Sequence, residues 1–271
     1  MSAPIRPTRP ARPSARELLE VVLDAGTWRS WDVPVETPGA GAGGYAATLA
    51  RARARSGLDE AVLTGEGHIH GRRVAVVACE FAFLAGSIGV AAGGRLTAAI
   101  ERATRERLPL LASPASGGTR LQEGAVAFLQ MLKVTAAVVA HRAAGLPYLV
   151  YLRHPTTGGV LASWGSLGHL TAVEPGALVG FLGPRVYEAL HGEPFPPGVQ
   201  VAEHLHAHGL VDAVLPAAQV AGALDRVLQV LDGAPPAPVP SPLPPAPQPS
   251  RVPPVPAPSP SPPVPAAAAS A

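Results

Sequence analysis

The sequence predicts an α/β domain. Short apolar runs without polar alternation recur through the middle of the chain, as strands buried on both faces require. Segments of helical character alternate with them. Glycine marks three of the strand–helix junctions: Ala85-Gly86-Ser87, Ser116-Gly117-Gly118 and Thr157-Gly158-Gly159. With 271 residues, 47% of them hydrophobic, the chain can bury one sizeable core.

The elements follow in order. Ser14-Ala15-Arg16-Glu17 is a capping box ahead of Leu18, Leu19, Val21, Val22 and Leu23, so a helix opens there and Gly26 ends it. Residues 33–44 form a Pro/Gly-rich loop, and Tyr45 to Ser56 an arginine-rich amphipathic helix. Ala61-Val62-Leu63 and Val74 to Ala78 read as strands joined by a turn at His70-Gly71. Leu96 to Arg107 is helical until Pro109 stops it. Leu110 to Ala112 is a short buried strand, Ser113 to Gly118 a loop, and Leu121 to Ala143 a long helix. Tyr148 to Leu152 is a strand, Pro155 to Gly159 a loop, Leu161 to Leu170 a helix and Ala177 to Phe181 a strand. Ala202 to His208 and Ala217 to Leu231 complete the helices.

The ends differ from this body. Seventeen of the 33 prolines lie between Ala234 and Ala271, beside a single charge, Arg251. Such a tail buries too little apolar surface to offset its ordering entropy. The first 16 residues hold four arginines and no acid before Glu17. Residues 1–14 are therefore expected to be a disordered Arg/Pro arm, 15–232 one domain, and 233–271 a disordered Pro/Ala-rich tail. Without Arg6, Arg9, Arg12, Arg16 and Arg251, the formal net charge of +2 becomes −3 for the body. The basic balance belongs to the ends, so nucleic-acid binding is not expected. Cys79 is the one cysteine, which excludes a disulfide framework and fits a cytoplasmic setting. The apolar stretch Val74 to Gly94 is broken by Glu80 and four glycines, so no membrane span and no membrane association are expected.

Ser116 to Arg120 (Ser-Gly-Gly-Thr-Arg) follows a buried strand and opens a long helix. Glycines let a ligand approach the backbone, and N–H groups at a helix start are unpaired and suited to a developing oxyanion. A structural turn is the competing reading. P-loop and dinucleotide glycine patterns are absent, as is a nucleophile elbow. His204, His206 and His208 read as an exposed polar face rather than metal ligands. Cys79, Phe81 and Phe83 read as core.

At these residues the chain resembles the β subunit of bacterial acetyl-CoA carboxylase carboxyltransferase. The matching stretches, in order, are Glu80 to Ser87, Ser116 to Glu123, Leu129 to Lys133, Gly145 to Tyr148, Pro155 to Val160, Ala172 to Pro175, Gly180 to Val186 and Pro196 to Gln200. The resemblance covers roughly residues 16–232. The resemblance implies a crotonase-like spiral of ββα units. It implies transfer of CO2 from carboxybiotin, held on a separate carrier protein, to acetyl-CoA, giving malonyl-CoA for fatty acid or related biosynthesis. The Gly117 and Gly118 N–H groups would hold the enolate oxygen. Ala85, Gly86 and Ser116 would contribute to the substrate site, and Thr157, Gly158 and Gly159 would line it near the biotin end. The implied partners are a carboxyltransferase α subunit, a biotin carboxyl carrier protein and a biotin carboxylase, in an α2β2-type hetero-oligomer. The family's N-terminal zinc ribbon has no cysteines here, so no zinc and no metal site are expected. Leu167-Gly168-His169 stands where the family has Leu-Gly-Asp. A malonate decarboxylase β-type subunit, a catalytically silent CoA- or partner-binding paralogue, and a hydratase using Glu80 or Glu123 are the alternatives; both glutamates otherwise read as support for strand or helix ends.

Overall fold

In the computed structural model, residues 13–35 and 43–232 are described. The expectations for the Arg/Pro arm before Pro13, for residues 36–42 of the loop and for the tail from 233 onward fall outside them.

The first helix, α1 (Ala15–Val22), carries the expected capping box: Ser14 Oγ accepts the Glu17 N–H, and the Glu17 carboxylate accepts the Ser14 N–H. After β1 (Arg29–Ser30), α2 (Gly43–Ser56) leads to the hairpin β2 (Val62–Ile69) and β3 (Arg72–Cys79). Its turn, His70-Gly71, is left-handed at both residues (φ 49° and 79°), the twist that suits a two-residue hairpin. Then follow α3 (Val90–Arg105), β4 (Leu110–Ser113), α4 (Gly124–Ala143) and β5 (Tyr148–Leu152). The remainder is β6 (Thr156–Thr157), α5 (Gly158–Leu161), β7 (Leu170–Val173), β8 (Val179–Gly180), α6 (Pro184–His191), α7 (Ala202–Ala207), β9 (Ala213–Val214) and α8 (Ala217–Asp232).

The α/β expectation holds. Seven strands form one sheet in the order β1-β2-β3-β4-β5-β7-β9, antiparallel from β1 to β3 and parallel from β3 onward. The small strands β6 and β8 form a second sheet. Each belongs to a two-strand-then-helix unit, β5-β6-α5 and β7-β8-α6, whose first strand joins the large sheet and second the small one. Strands β4 and β5 are buried at every residue. One face packs on α3 and α4 through Leu96, Ile100, Val134 and Val138, and the other on α1 and α8 through Leu18, Val22, Val220 and Leu228.

Four local expectations change. The stretch Leu161 to Leu170 is not one helix: a four-residue helix and a 3-10 turn at Trp164–Ser166 precede β7. Trp164 is buried and its carbonyl accepts the Tyr148 hydroxyl, which bends the chain there. Pro155 to Gly159 contains β6 rather than being all loop. Only Val179–Gly180 of the Ala177 to Phe181 run is strand, and it pairs with β6. The long helix begins at Gly124, not Leu121, because Gly124 has φ +63° after a separate 3-10 turn.

Leu121–Ala143 is long and apolar enough to cross a membrane by length and composition. Here one side of it is core (Met131, Val134, Val138), while Val126, Phe128, Leu129, Leu132 and Val139 are exposed.

His141 of α4 is fully buried, between Thr104 Oγ1 at 2.9 Å and the Pro147 carbonyl at 3.2 Å. Burial, reinforced by nearby His169, holds its pKa below the ordinary imidazole value of about 6.5. The unfolded chain therefore binds a proton at a pH where the folded chain does not. This contribution is complete above about pH 6.5 and is lost as pH falls toward the lowered folded value. The melting temperature should drop on acidification from pH 7 through 6, and His141→Gln should flatten that drop. An equal drop in the variant would assign the effect to other groups, His169 first, since its pKa is lowered by burial as well.

Candidate functional site

Strands β3, β4 and β5 lie side by side and parallel, so their carboxyl ends open on one edge of the sheet, the usual place for a site in such folds. Each end runs into one of the three glycine junctions.

The structure brings all three together. Ser116 is fully buried at the centre. Its Oγ donates to the Gly86 carbonyl at 2.6 Å, its N–H donates to the Pro155 carbonyl at 2.6 Å, and its carbonyl accepts the Thr157 N–H at 2.8 Å. Gly118 and Gly158 meet backbone to backbone: a Cβ on Gly118 would stand 3.3 Å from the Thr157 carbonyl oxygen and 3.5 Å from Gly158 Cα, at a φ of +105°. A Cβ on Gly86 would collide with the Ala115 carbonyl. Gly159 packs beside Thr119 and Met131. Ala85 and Gly117 are exposed and Gly158 and Gly159 half-buried, so the cluster faces outward.

Leu84 and Ala85 hold left-handed backbone at φ 45° and 56° without being glycine. Such residues cost of order 1–3 kcal/mol each and concentrate at functional sites. The surrounding bonds impose the conformation: Gly86 N–H donates to Phe83, Ser87 N–H to Leu84, and the Ala85 carbonyl accepts Gly117 N–H at 2.9 Å.

That last bond corrects the expectation of unpaired N–H groups at a helix start. Gly117 N–H is spent on Ala85, and Gly118 N–H on Ser116 Oγ at 3.0 Å. The positive end of α4 lies at Gly124, six residues beyond Gly118.

A buried ionic network supports the turns. Arg120 and Glu60 are both fully buried and paired at two points, Nη1 to Oε2 at 2.9 Å and Nη2 to Oε1. Arg120 also donates to the Ser87 carbonyl at 2.8 Å and approaches Glu123 at 3.3 Å. Glu123 accepts the Val90 N–H and the Tyr45 hydroxyl, each at 2.6 Å. Burial lowers an arginine pKa, yet the Glu60 hydrogen bonds and charge outweigh it and raise that of Arg120. Burial and the bond to Glu123 push the Tyr45 phenol up to about 12. Glu123 is thus support rather than a free base. So is Glu80, whose carboxylate accepts the Ala15 and Ala82 N–H groups, both at 2.8 Å. Sequence reasoning missed Glu60 and Tyr45, whose partners lie 60 and 78 residues away.

The other singled-out residues lie outside the cluster. Cys79 and Phe83 are core, whereas Phe81 is 40% exposed. Burial pushes the Cys79 thiol up to about 11. His204 and His208 stack at 4.1 Å on an open face. No group of three or more His, Cys, Asp or Glu poised for a metal occurs among the described residues. A 590 Å³ cavity lies away from the glycine turns, lined by α1, Trp28 and Leu58.

Comparison with known proteins gives consistent results. A family model described as carboxyl transferase domain matches residues 12–264. A probable biotin-dependent acyl-coenzyme A carboxylase beta3 subunit of Mycobacterium tuberculosis is 64% identical over 233 residues, which is 86% of this chain and 46% of that protein. This chain therefore spans about half the length of that relative. The acetyl-coenzyme A carboxylase carboxyl transferase subunit beta of Opitutus terrae is 41% identical, covering 80% of this chain and 76% of its own length. Among solved structures, a Pseudomonas malonate decarboxylase hetero-dimer superposes with a TM-score of 0.63 at 24% identity (80% of this chain, 86% of that one). The transcarboxylase 12S core superposes at 0.65 and 21% identity (79% and 41%). At these identities the two structures establish the crotonase-like fold alone.

The Arg120–Glu60 pair yields a stability prediction. Glu60→Ala leaves the buried guanidinium only the longer contact to Glu123 as an ion pair and should cost about 3–5 kcal/mol in chemical unfolding. Adding Arg120→Met to it should recover part of that loss. An additive double variant would show that the two residues do not act as a pair.

Proposed function

Because the chain belongs to the carboxyl transferase domain family, we propose that it is the β-type carboxyltransferase subunit of a biotin-dependent acyl-CoA carboxylase, acting in the cytoplasm, with acetyl-CoA as acceptor and malonyl-CoA as product. The observation that carries this reading is the meeting of Ala85-Gly86, Ser116-Gly117-Gly118 and Thr157-Gly158-Gly159 at the ends of three adjacent parallel strands.

The reaction breaks a C–H bond on the carbon next to the thioester and joins that carbon to CO2. Between the two events negative charge rests on the thioester oxygen. The residues fit an oxygen there. A Cβ on Gly117 would find only Ala85, at 3.6 Å and beyond, so the space over this backbone is open to a planar group. The Gly117 and Gly118 N–H groups are engaged by a neutral carbonyl and a neutral hydroxyl. A full oxyanion is the stronger acceptor, so in this reading the enolate draws both donors from Ala85 and Ser116. Carboxybiotin, on a separate carrier protein, would supply the carboxyl group and, after its release, the base. Thr157, Gly158 and Gly159 would receive it, the half-buried Gly158 and Gly159 leaving backbone open to a flat ring.

The surface of α4 supports a partner subunit. Val126, Leu129, Leu132 and Val139 repeat at helical spacing and are each more than half exposed. An exposed apolar stripe of this kind, interrupted here by Lys133, marks an interface. A carboxyltransferase α-type subunit is the proposed cover, in an α2β2-type assembly served by a biotin carboxylase and a biotin carboxyl carrier protein.

Co-expression with such an α-type subunit, followed by addition of carboxylated carrier and acetyl-CoA, should yield malonyl-CoA. Gly117→Val should preserve folding, since its backbone is not left-handed, yet lower the rate by about 100-fold or more. An unchanged rate would remove Gly117 from the site. Decarboxylation of a malonyl thioester without biotin, in place of carboxylation, would overturn the proposed reaction.

A further inference from the structure

Arg153 follows β5 directly and is 4% exposed. Its hydrogen bonds run to main-chain oxygens and a hydroxyl rather than to a carboxylate. Nη2 donates to the carbonyls of Cys79 and of Ser113, the latter at 3.3 Å. Nε donates to Ser113 Oγ at 3.0 Å, and Nη1 to the Pro13 carbonyl at 3.3 Å, just ahead of α1. Cys79 is the last residue of β3 and Ser113 the last of β4. One guanidinium therefore ties together the carboxyl ends of the three strands that lead into the three glycine turns. Ser113 Oγ passes the contact on to the Tyr151 carbonyl on β5 at 3.2 Å. Glu80 holds the first of these exits from the other side, through Ala82 and Ala15.

Burying a charge this way is costly. A rigid planar fork with five donors is the side chain able to span carbonyls on separate strands, and a lysine ammonium is not its equivalent. Ser116 lies three residues beyond Ser113, and Thr157 four beyond Arg153. A shift of strand ends thus reaches the turns across only two or three intervening residues.

The geometry points to Arg153 as a positioning residue that sets the spacing of the glycine turns, and so their grip on the charged enolate rather than on the neutral thioester. This rests on the proposed carboxyltransferase reading and adds a residue to it. A misplacement of about 1 Å at a reacting centre can cost about 100-fold, whereas a neutral thioester bound mainly through its distant portions loses little.

The test compares two ligands on the full chain purified with its co-expressed partner. One is acetyl-CoA. The other is a dethia analogue of acetyl-CoA in which –CH2–NO2 replaces –S–CO–CH3, whose nitronate anion carries one oxygen where the enolate oxygen stands and is followed by its ultraviolet absorbance. Wild type should bind the nitronate more tightly than acetyl-CoA. Arg153→Met should lose nitronate affinity by about 100-fold, with acetyl-CoA affinity within a few-fold. Arg153→Lys should rescue only part of the loss. Ser113→Ala, which removes a hydroxyl alone, should show a smaller loss of the same selective kind, and it decides the matter together with Arg153→Lys if Arg153→Met does not fold. Wild-type affinity for both ligands in the folded variants, or a parallel loss of both, would overturn the inference. A wild type with no preference for the nitronate would instead overturn the carboxyltransferase reading beneath it.

Discussion

Gly118 and Gly158 touch through main chain alone, with no side chain between them. Three strand ends can converge so closely only where Cβ atoms are missing, and one of these positions also requires a φ of +105°. The hydrogen bonds of Ser116 to Gly86, Pro155 and Thr157 exist because of that approach. So does the left-handed backbone of Leu84 and Ala85, which is tolerable only where neighbouring strands over-determine it. The parallel order β3-β4-β5 puts the three ends in line, and the glycines let them close.

Such a cluster has little apolar material of its own, so its rigidity comes from buried polar groups. Arg120 with Glu60 lies beneath one side, and Arg153 at the strand ends lies beneath the other. Charged groups in those places contribute modestly to net stability, because their desolvation offsets most of the attraction. What they supply is fixed geometry. Peptide carbonyls of Ser87, Cys79 and Ser113 are held by planar donors, and the turns inherit that order. The outward face is the reverse: Ala85 and Gly117 are exposed, and so are Val126, Leu129, Leu132 and Val139 of α4.

Much of this was legible in the residues. The capping box at Ser14 and Glu17, the His70-Gly71 turn, and the apolar runs of β3, β4 and β5 are local signals, and each resolved as read. The three glycine junctions were visible as well, and their convergence follows from parallel neighbours. What escaped is long-range or very short. Strands β6 and β8 have two residues each, too few to show a period, and pair across 23 residues. Trp164 and Gly165 break the stretch that looked like one helix after Leu161. Glu60 carries no local mark of its bond to Arg120. The free N–H groups expected at Gly117 and Gly118 were a helix-start inference, and it failed because Gly124 delays the helix. Both donors are engaged, by Ala85 and Ser116.

The central claim is that this backbone cluster receives a thioester oxygen. A crystal structure of the chain with its partner and a bound acyl-CoA tests it most directly, through the distance from the thioester oxygen to the Gly117 and Gly118 nitrogens. The account predicts hydrogen-bonding distance, about 3 Å, to at least one of them, with Ser116 Oγ turned away from Gly118. A thioester seated elsewhere, for instance in the cavity lined by Trp28 and Leu58, with both glycine bonds intact, would contradict it.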